Sequence, residues 1–98
     1  MPSNRGTLEE SWRRTRGHLD AAARLLPAEP KRGPEGGSFA AYSDWLEHNE
    51  LELALDELLL LGEANSVVTE FWQALLDAAN EMKLDARAAH ISGLLTDR

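Results

Sequence analysis

The sequence lacks cysteine, strand-like patterns and long apolar runs. Without cysteine, neither a disulfide framework nor a thiolate metal site can form. β-Branched residues are scarce, and no stretch alternates with period two, so strands are not expected. The N-terminus is polar, and no run approaches the roughly 18 apolar residues of a membrane span. We therefore expect one soluble, cytoplasmic, all-α domain over residues 1–98, with no contact to membranes.

Cations are missing from the middle of the chain. The formal net charge is −7, but residues 1–32 carry +3 and residues 83–98 carry +1. Residues 33–82 hold eleven acidic side chains and no Lys or Arg, so internal i, i+4 pairs cannot neutralise them. Such a field repels nucleic acid and accelerates encounter with basic proteins. The charge pattern therefore argues against DNA or RNA binding and favours a basic protein partner.

The stretch Asp44–Glu63 is the longest segment with helical apolar periodicity. Leu53 and Leu60 fall about 180° from its apolar stripe, among the acidic side chains. A helix with leucines on both sides is either buried on both sides or presents its second face to a partner. The predicted core stripe consists of Leu51, Ala54, Leu55, Leu58, Leu61 and Gly62.

A first helix is predicted to begin at Leu8, after a loose lead-in over residues 1–6. Thr7 and Glu10 have capping-box spacing, and Pro27 stops the helix. Its predicted core stripe is Leu8, Trp12, Leu19, Ala22, Ala23 and Leu26. The residues predicted to face water are Arg13, Arg14, Arg16, Asp20 and Arg24.

A loop and a helix break are predicted on the way to the acidic stretch. Residues 27–37 contain three prolines and three glycines and are expected to form a mobile loop. Ser38 can cap a short second helix. Asn49, followed by Glu52 three residues later, resembles another N-cap, so we place a break at His48–Asn49. One continuous helix through this point is the alternative.

Two further helices complete the prediction. The third helix ends near Gly62, Ser66 caps the fourth, and Asp85 caps the last. With mostly short connections, four to five helices pack most simply as a compact antiparallel bundle. The stripe of the fourth helix is Val67, Phe71, Leu75, Ala78 and Met82, widened by Val68, Trp72 and Ala79.

The sequence gives little support for catalysis, a cofactor or a metal. No HExxH motif or nucleotide-binding glycine loop occurs, and the three histidines are far apart. Asp44, His48 and Glu52 would line up as metal ligands only on an unbroken helix, which the break at Asn49 argues against. We expect no enzyme, no cofactor and no metal site.

The three tryptophans differ in their expected roles. Trp12 and Trp72 lie on or beside helix stripes and are predicted to be core. Trp45 lies about 100° from the apolar side of its helix and suits the core or an interface equally well. Apolar residues ringed by one sign of charge are typical of fast, tight interfaces. The predicted partner-binding residues are Trp45, Glu47, Glu50, Glu52, Leu53, Asp56, Glu57, Leu60 and Glu63.

The segment Tyr42–Glu63 and the following FWQALLDAANEMKL resemble the small helical immunity proteins of bacterial polymorphic-toxin and contact-dependent inhibition systems. The nearest are the MafI-like and CdiI-like families. The resemblance covers about residues 39–84 and includes the Met82-Lys83-Leu84 step after the fourth helix. Its central motif is His48, Asn49, Glu50, Leu53, Ala54, Leu55 and Leu58.

The resemblance implies a cytoplasmic antidote that binds a cognate toxin domain, often a basic nuclease, and blocks it without chemistry of its own. The carboxylates would mimic the phosphates that a nuclease cleft receives. We therefore expect an immunity protein, a monomer or weak homodimer when free. The alternative is a self-associating or regulatory helical module that binds a basic protein.

Overall fold

Five α-helices make up most of the described part of the chain, and the connections from α2 to α5 are short. The computed structural model describes residues 4–30 and 37–96, and no strand occurs among them. The helices are α1 (Asn4–Ala23), α2 (Phe39–Glu47), α3 (Leu51–Ala64), α4 (Thr69–Glu81) and α5 (Asp85–Thr96). The predicted all-α bundle is confirmed.

The whole predicted apolar stripe of α3 is buried. The helix packs against α1, α2 and α4, while α1 and α5 both pack on α4. Gly62 is part of the stripe, and a Cβ there would clash with the rings of Phe71 and Trp72, which meet edge to face at 5.0 Å. The core residues of α3 are Leu51, Ala54, Leu55, Leu58, Leu61 and Gly62.

The predicted break between α2 and α3 is confirmed, but Asn49 has a different role from the one expected. It adopts a left-handed conformation, with φ of 57°, and its N–H donates to Leu46 O. The Glu50 N–H reaches back to Trp45 O, which completes a Schellman C-cap of α2. Asn49 thus ends α2 and does not begin α3. At the other end of α2, the Ser38 hydroxyl accepts from the Ala41 N–H at 3.0 Å, so the predicted Ser38 cap is confirmed.

The same C-cap recurs between α4 and α5. Lys83 has φ of 59°, its N–H donates to Asn80 O, and the Leu84 N–H donates to Ala79 O. Lysine has no side-chain means of favouring this conformation, so packing on either side must enforce it.

The predicted caps of α4 and α5 are displaced. Helix α4 begins at Thr69 with Val68 in the N-cap position, so the prediction of Ser66 as the cap is wrong. The Ala88 N–H donates to Leu84 O, which puts Leu84 in the cap position and Asp85 at the first residue of α5.

Helix α1 differs most from its predicted form. It begins at Asn4, which puts Thr7 inside the helix, and it ends at Ala23, four residues before Pro27. Residues 27–30 are not helical, whereas the mobility predicted for the loop concerns residues 31–36, which lie outside the described chain.

The apolar stripe of α1 is buried only in its C-terminal half. Leu19 is fully buried, whereas Leu8 is 50% and Trp12 40% exposed, so the prediction of Trp12 as core is wrong. Thr15, which the stripe omitted, is buried and donates its hydroxyl to Ser11 O at 2.9 Å. Trp72, in contrast, is 2% exposed, and its core prediction is confirmed.

The lengths of the helices explain the exposure of Leu8 and Trp12. Helix α1 has 20 residues and α4 has 13, so at about 1.5 Å per residue α1 is about 10 Å longer than its main partner. The first turns of α1 therefore run past the end of α4. There the apolar side chains lie beside the α4–α5 connection instead of inside the core.

Candidate partner-binding surface

One flank of α3 is covered by α2. A carboxylate oxygen of Glu57 accepts from the Ser38 N–H at 3.0 Å, and the other accepts from Trp45 Nε1 at 3.3 Å. Leu60 is half-buried and lies against Gly37, whose left-handed φ of 93° lets its backbone approach closely. The chain itself therefore occupies much of the flank that carries Glu57 and Leu60.

The other flank of α3 receives its cations from α5. Arg87 bonds Asp56 with Nε at 2.7 Å and Nη2 at 3.0 Å, and Nη2 lies 2.9 Å from Glu52. The hydrogen bonds to Asp56 are the main cause of a raised pKa for Arg87. One turn further along α5, His90 Nε2 lies 3.6 Å from a Glu63 carboxylate oxygen. Asp56 and Glu52 are thus paired with a cation within the fold, and Glu63 lies beside an imidazole.

Helix α1 supplies counter-charge at the ends of two other helices. Arg14 Nε donates to Glu81 at 2.8 Å, and the Ser11 hydroxyl donates to the same carboxylate at 2.8 Å. Hydrogen bonds from Arg14 and then from Ser11 lower the pKa of Glu81 to about 2.

Arg16 links α1 to the end of α2. Its Nη1 donates to Leu46 O at 2.8 Å and to Asn49 Oδ1 at 3.3 Å. A cation at this position also suits the negative end of the α2 dipole. The helical pattern predicted that Arg16 faces water. In the structure these contacts leave it half-buried.

The α2–α3 connection keeps its negative charge exposed. The side chains of Asp44, Glu47 and Glu50 are exposed and form no ion pair with a Lys or Arg among the described residues. His48 Nδ1 lies 2.8 Å from Asp44 O. That contact, and then the Asp44, Glu47 and Glu50 carboxylates, raise the pKa of His48.

An exposed leucine accompanies these carboxylates. Leu53 is 39% exposed on the first turn of α3, three residues after Glu50 and therefore on the same side of the helix. We call this surface, made of Asp44, Glu47, Glu50 and Leu53, the acidic turn. An exposed apolar side chain beside uncompensated charge of one sign can bind a basic protein surface.

A groove lies next to the acidic turn. Trp12 and Leu8 form one wall, Met82 and Leu84 form the other, and the volume is about 590 Å³. Glu52 and Lys83 also line it. We call this feature the Trp12 groove.

Trp12 also connects the groove to the acidic turn. On its other side it lines a second depression of about 450 Å³ with Arg13, Arg16 and Asn49. Trp12 therefore lies between the α4–α5 connection and the α2–α3 connection. One partner surface can contact Trp12 and both connections.

The structure thus divides the predicted partner-binding residues into two groups. Those that remain exposed with no intramolecular ion pair are Glu47, Glu50 and Leu53. Those with a contact inside the fold are Trp45, Glu52, Asp56, Glu57, Leu60 and Glu63. Their binding to a partner stays a prediction. Sequence reasoning did not identify Trp12 and Leu8 as exposed surface residues. The signal that could have identified them is that the apolar pattern of the first helix is longer than that of the fourth.

No metal-binding cluster is formed by the described residues. The break at Asn49 separates Asp44 and His48 from Glu52, and no group of three or more His, Asp or Glu within residues 4–30 and 37–96 could hold a metal ion. In the same part of the chain, no helix combines the length and the apolar character that crossing a membrane requires.

Comparison of the chain with protein-family models, with curated proteins and with solved structures gives no match.

Proposed function

We propose that this chain is a non-catalytic immunity protein that binds a basic toxin domain through the acidic turn and neutralises it by occlusion. The observation that carries the proposal is that the carboxylates of Asp44, Glu47 and Glu50 are exposed, with the exposed Leu53 three residues after Glu50, and that no Lys or Arg of the described chain pairs with them. A basic partner supplies the missing cations and covers the exposed leucine.

The electrostatics of the acidic turn support a basic partner. The contact with the Asp44 carbonyl, and then the Asp44, Glu47 and Glu50 carboxylates, raise the pKa of His48, as negative groups near an imidazole do. The chain as a whole carries a net charge of −7, so this local potential adds to a long-range one. Such a field raises the association rate of a basic partner and depends strongly on salt.

The resemblance to immunity proteins supports the identity of the partner. The motif that carries it includes His48, Asn49, Glu50 and Leu53, which are the residues of the α2–α3 connection and the first turn of α3. In this proposal the toxin is a basic nuclease, and the carboxylates of the acidic turn take the place of substrate phosphates.

The first experiment is a pull-down with the tagged full chain from cells that also express the gene immediately upstream, because immunity genes follow their toxins. We expect recovery of a basic protein whose toxicity this chain suppresses. If the upstream product is neither bound nor toxic, the immunity proposal fails.

Charge-reversal variants then test the assignment of the surface. Glu47→Lys with Glu50→Lys should slow association with the toxin at least about tenfold and flatten its salt dependence. The matched control is Glu70→Lys, which reverses one exposed carboxylate on α4, away from the turn. Asp56→Lys is a poorer test, since it also removes the partner of Arg87. Equal association rates for wild type and the double variant would refute the acidic turn as the binding site.

A further inference from the structure

The Trp12 groove carries positive charge that the fold leaves unmatched. Lys83 lines it, and Arg13 lines the neighbouring depression that shares Trp12; neither forms an ion pair with another described residue. Arg14 and Arg87, in contrast, are already bonded to Glu81 and Asp56. The surface around Trp12 thus combines exposed apolar side chains with two cations that form no ion pair within the described chain, in a protein whose net charge is −7.

The acidic turn has the complementary properties. It offers one exposed leucine, Leu53, with the unpaired carboxylates of Glu47 and Glu50 beside it. An apolar residue beside unpaired carboxylates matches, in both polarity and charge, an apolar groove that has Lys83 in its lining and Arg13 beyond Trp12. The same chain therefore carries two complementary surfaces.

The two surfaces are also neighbours. Asn49, which lies between Glu47 and Glu50 in the chain, lines a depression with Trp12, and Arg16 holds it there through Asn49 Oδ1 at 3.3 Å. In an isologous dimer every contact between two residues occurs twice, related by the two-fold axis. Adjacent complementary surfaces meet this condition, because both copies of the contact can form around one axis.

We propose that the free protein associates with a second copy of itself, the acidic turn of each protomer docking in the Trp12 groove of the other. Leu53 of one protomer packs against Trp12 and Leu8 of its partner. Glu47 and Glu50 approach Arg13 and Lys83 across the interface. Because this dimer covers the acidic turn, it is a resting form that a toxin must displace.

Sedimentation equilibrium of the full chain, from micromolar to near-millimolar concentration, tests the proposal. We expect the mass to rise toward that of a dimer, and the dissociation constant to rise with salt because charged rims are screened. Trp12→Ala and Leu53→Ala should each weaken the dimer at least about tenfold, as is usual for a central anchor. Val68→Ala removes an equally exposed apolar side chain at the start of α4 and should have no effect. A monomer at every concentration would overturn the proposal, and so would a dimer that neither anchor variant weakens.

A mixing experiment tests the charge pairing across the interface. Arg13→Glu and Glu50→Arg should each weaken the homodimer, because each places like charges opposite one another twice. An equimolar mixture of the two variants should restore association, because every cross-interface pair in the heterodimer is then of opposite sign. A mixture that associates no better than the single variants would refute this arrangement.

The outcome is independent of toxin binding. If the protein forms a salt-sensitive dimer but does not bind the upstream gene product, the dimer proposal stands and the immunity proposal is refuted. If the protein stays monomeric and binds the toxin, the dimer proposal is refuted and the immunity proposal stands.

Discussion

The indole Nε1 of Trp45 donates a hydrogen bond to Oε1 of Glu57, 3.3 Å away. Sequence reasoning assigned both residues to a partner, yet they bind each other and hold α2 on α3. The second oxygen of Glu57 accepts from the Ser38 N–H, so one carboxylate fixes both ends of α2.

Replacing Glu57 by Ala should therefore destabilise the fold. Two partly buried donors lose their acceptor, and we expect the free energy of unfolding to fall by about 1–3 kcal/mol. Urea denaturation followed by circular dichroism measures the change. Glu47→Ala is the control, because that carboxylate is exposed and should alter stability by less than about 0.5 kcal/mol. Similar stabilities of the two variants would contradict a structural role for Glu57.

The contact of Arg87 with Asp56 and Glu52 joins α5 to α3 and should be measurable. The guanidinium is one-third exposed, so solvent weakens the pairing, and we expect Arg87→Met to cost about 1 kcal/mol. The loss should shrink in high salt. Arg24→Met removes an exposed i, i+4 pair with Asp20 and should cost less than about 0.5 kcal/mol. Equal losses for the two variants would show that the bidentate geometry adds nothing.

Lys83 stores backbone strain that glycine would release. Its φ of 59° costs a residue with a Cβ about 1–2 kcal/mol, whereas glycine adopts this conformation freely. We expect Lys83→Gly to raise the free energy of unfolding by about 0.5–1 kcal/mol, measured by thermal and urea denaturation. Lys83→Ala removes the same charge but keeps the Cβ, so it should give no gain. A gain from alanine equal to that from glycine would assign the effect to charge instead of strain.

The pairing of Glu81 with Arg14 and Ser11 makes stability depend on acidic pH. Because the folded-state pKa of Glu81 is lowered to about 2, its contribution is complete above the ordinary glutamate pKa of about 4.3. It is lost as pH falls from about 4.3 through about 2. Denaturation midpoints across this range should decline less steeply in Glu81→Gln than in wild type. Glu70→Gln should follow the wild-type slope, and an unchanged slope in Glu81→Gln would contradict the pairing.

The stripe of α3 was predictable because every turn of that helix has a neighbour. Leu51 to Gly62 follow the i, i+3, i+4 rule, and α1, α2 and α4 together surround the apolar side. The same rule failed for Trp12, since a helical wheel gives the side of a residue but not whether a partner helix extends that far. Capping failed at Ser66 and Asn49 for a related reason. Several polar residues near a helix end can cap it, and tertiary packing selects among them.

The sequence by itself determined the helical class, the core of α3 and the acidic character of the middle of the chain, and it limited the number of helices to four or five. Periodicity and composition are local properties, so they can be determined from the sequence without knowing how the helices pack. Only the tertiary structure decided which carboxylates have no ion pair with a described residue. The cations that pair with the other carboxylates come from α1 and α5, which are far away in sequence. Arg87 pairs with Asp56 and Glu52, Glu57 turns to α2, and Glu47 and Glu50 are left at the surface beside Leu53. A helix end without a neighbour likewise exposed Trp12, which makes that side of the molecule its candidate binding surface.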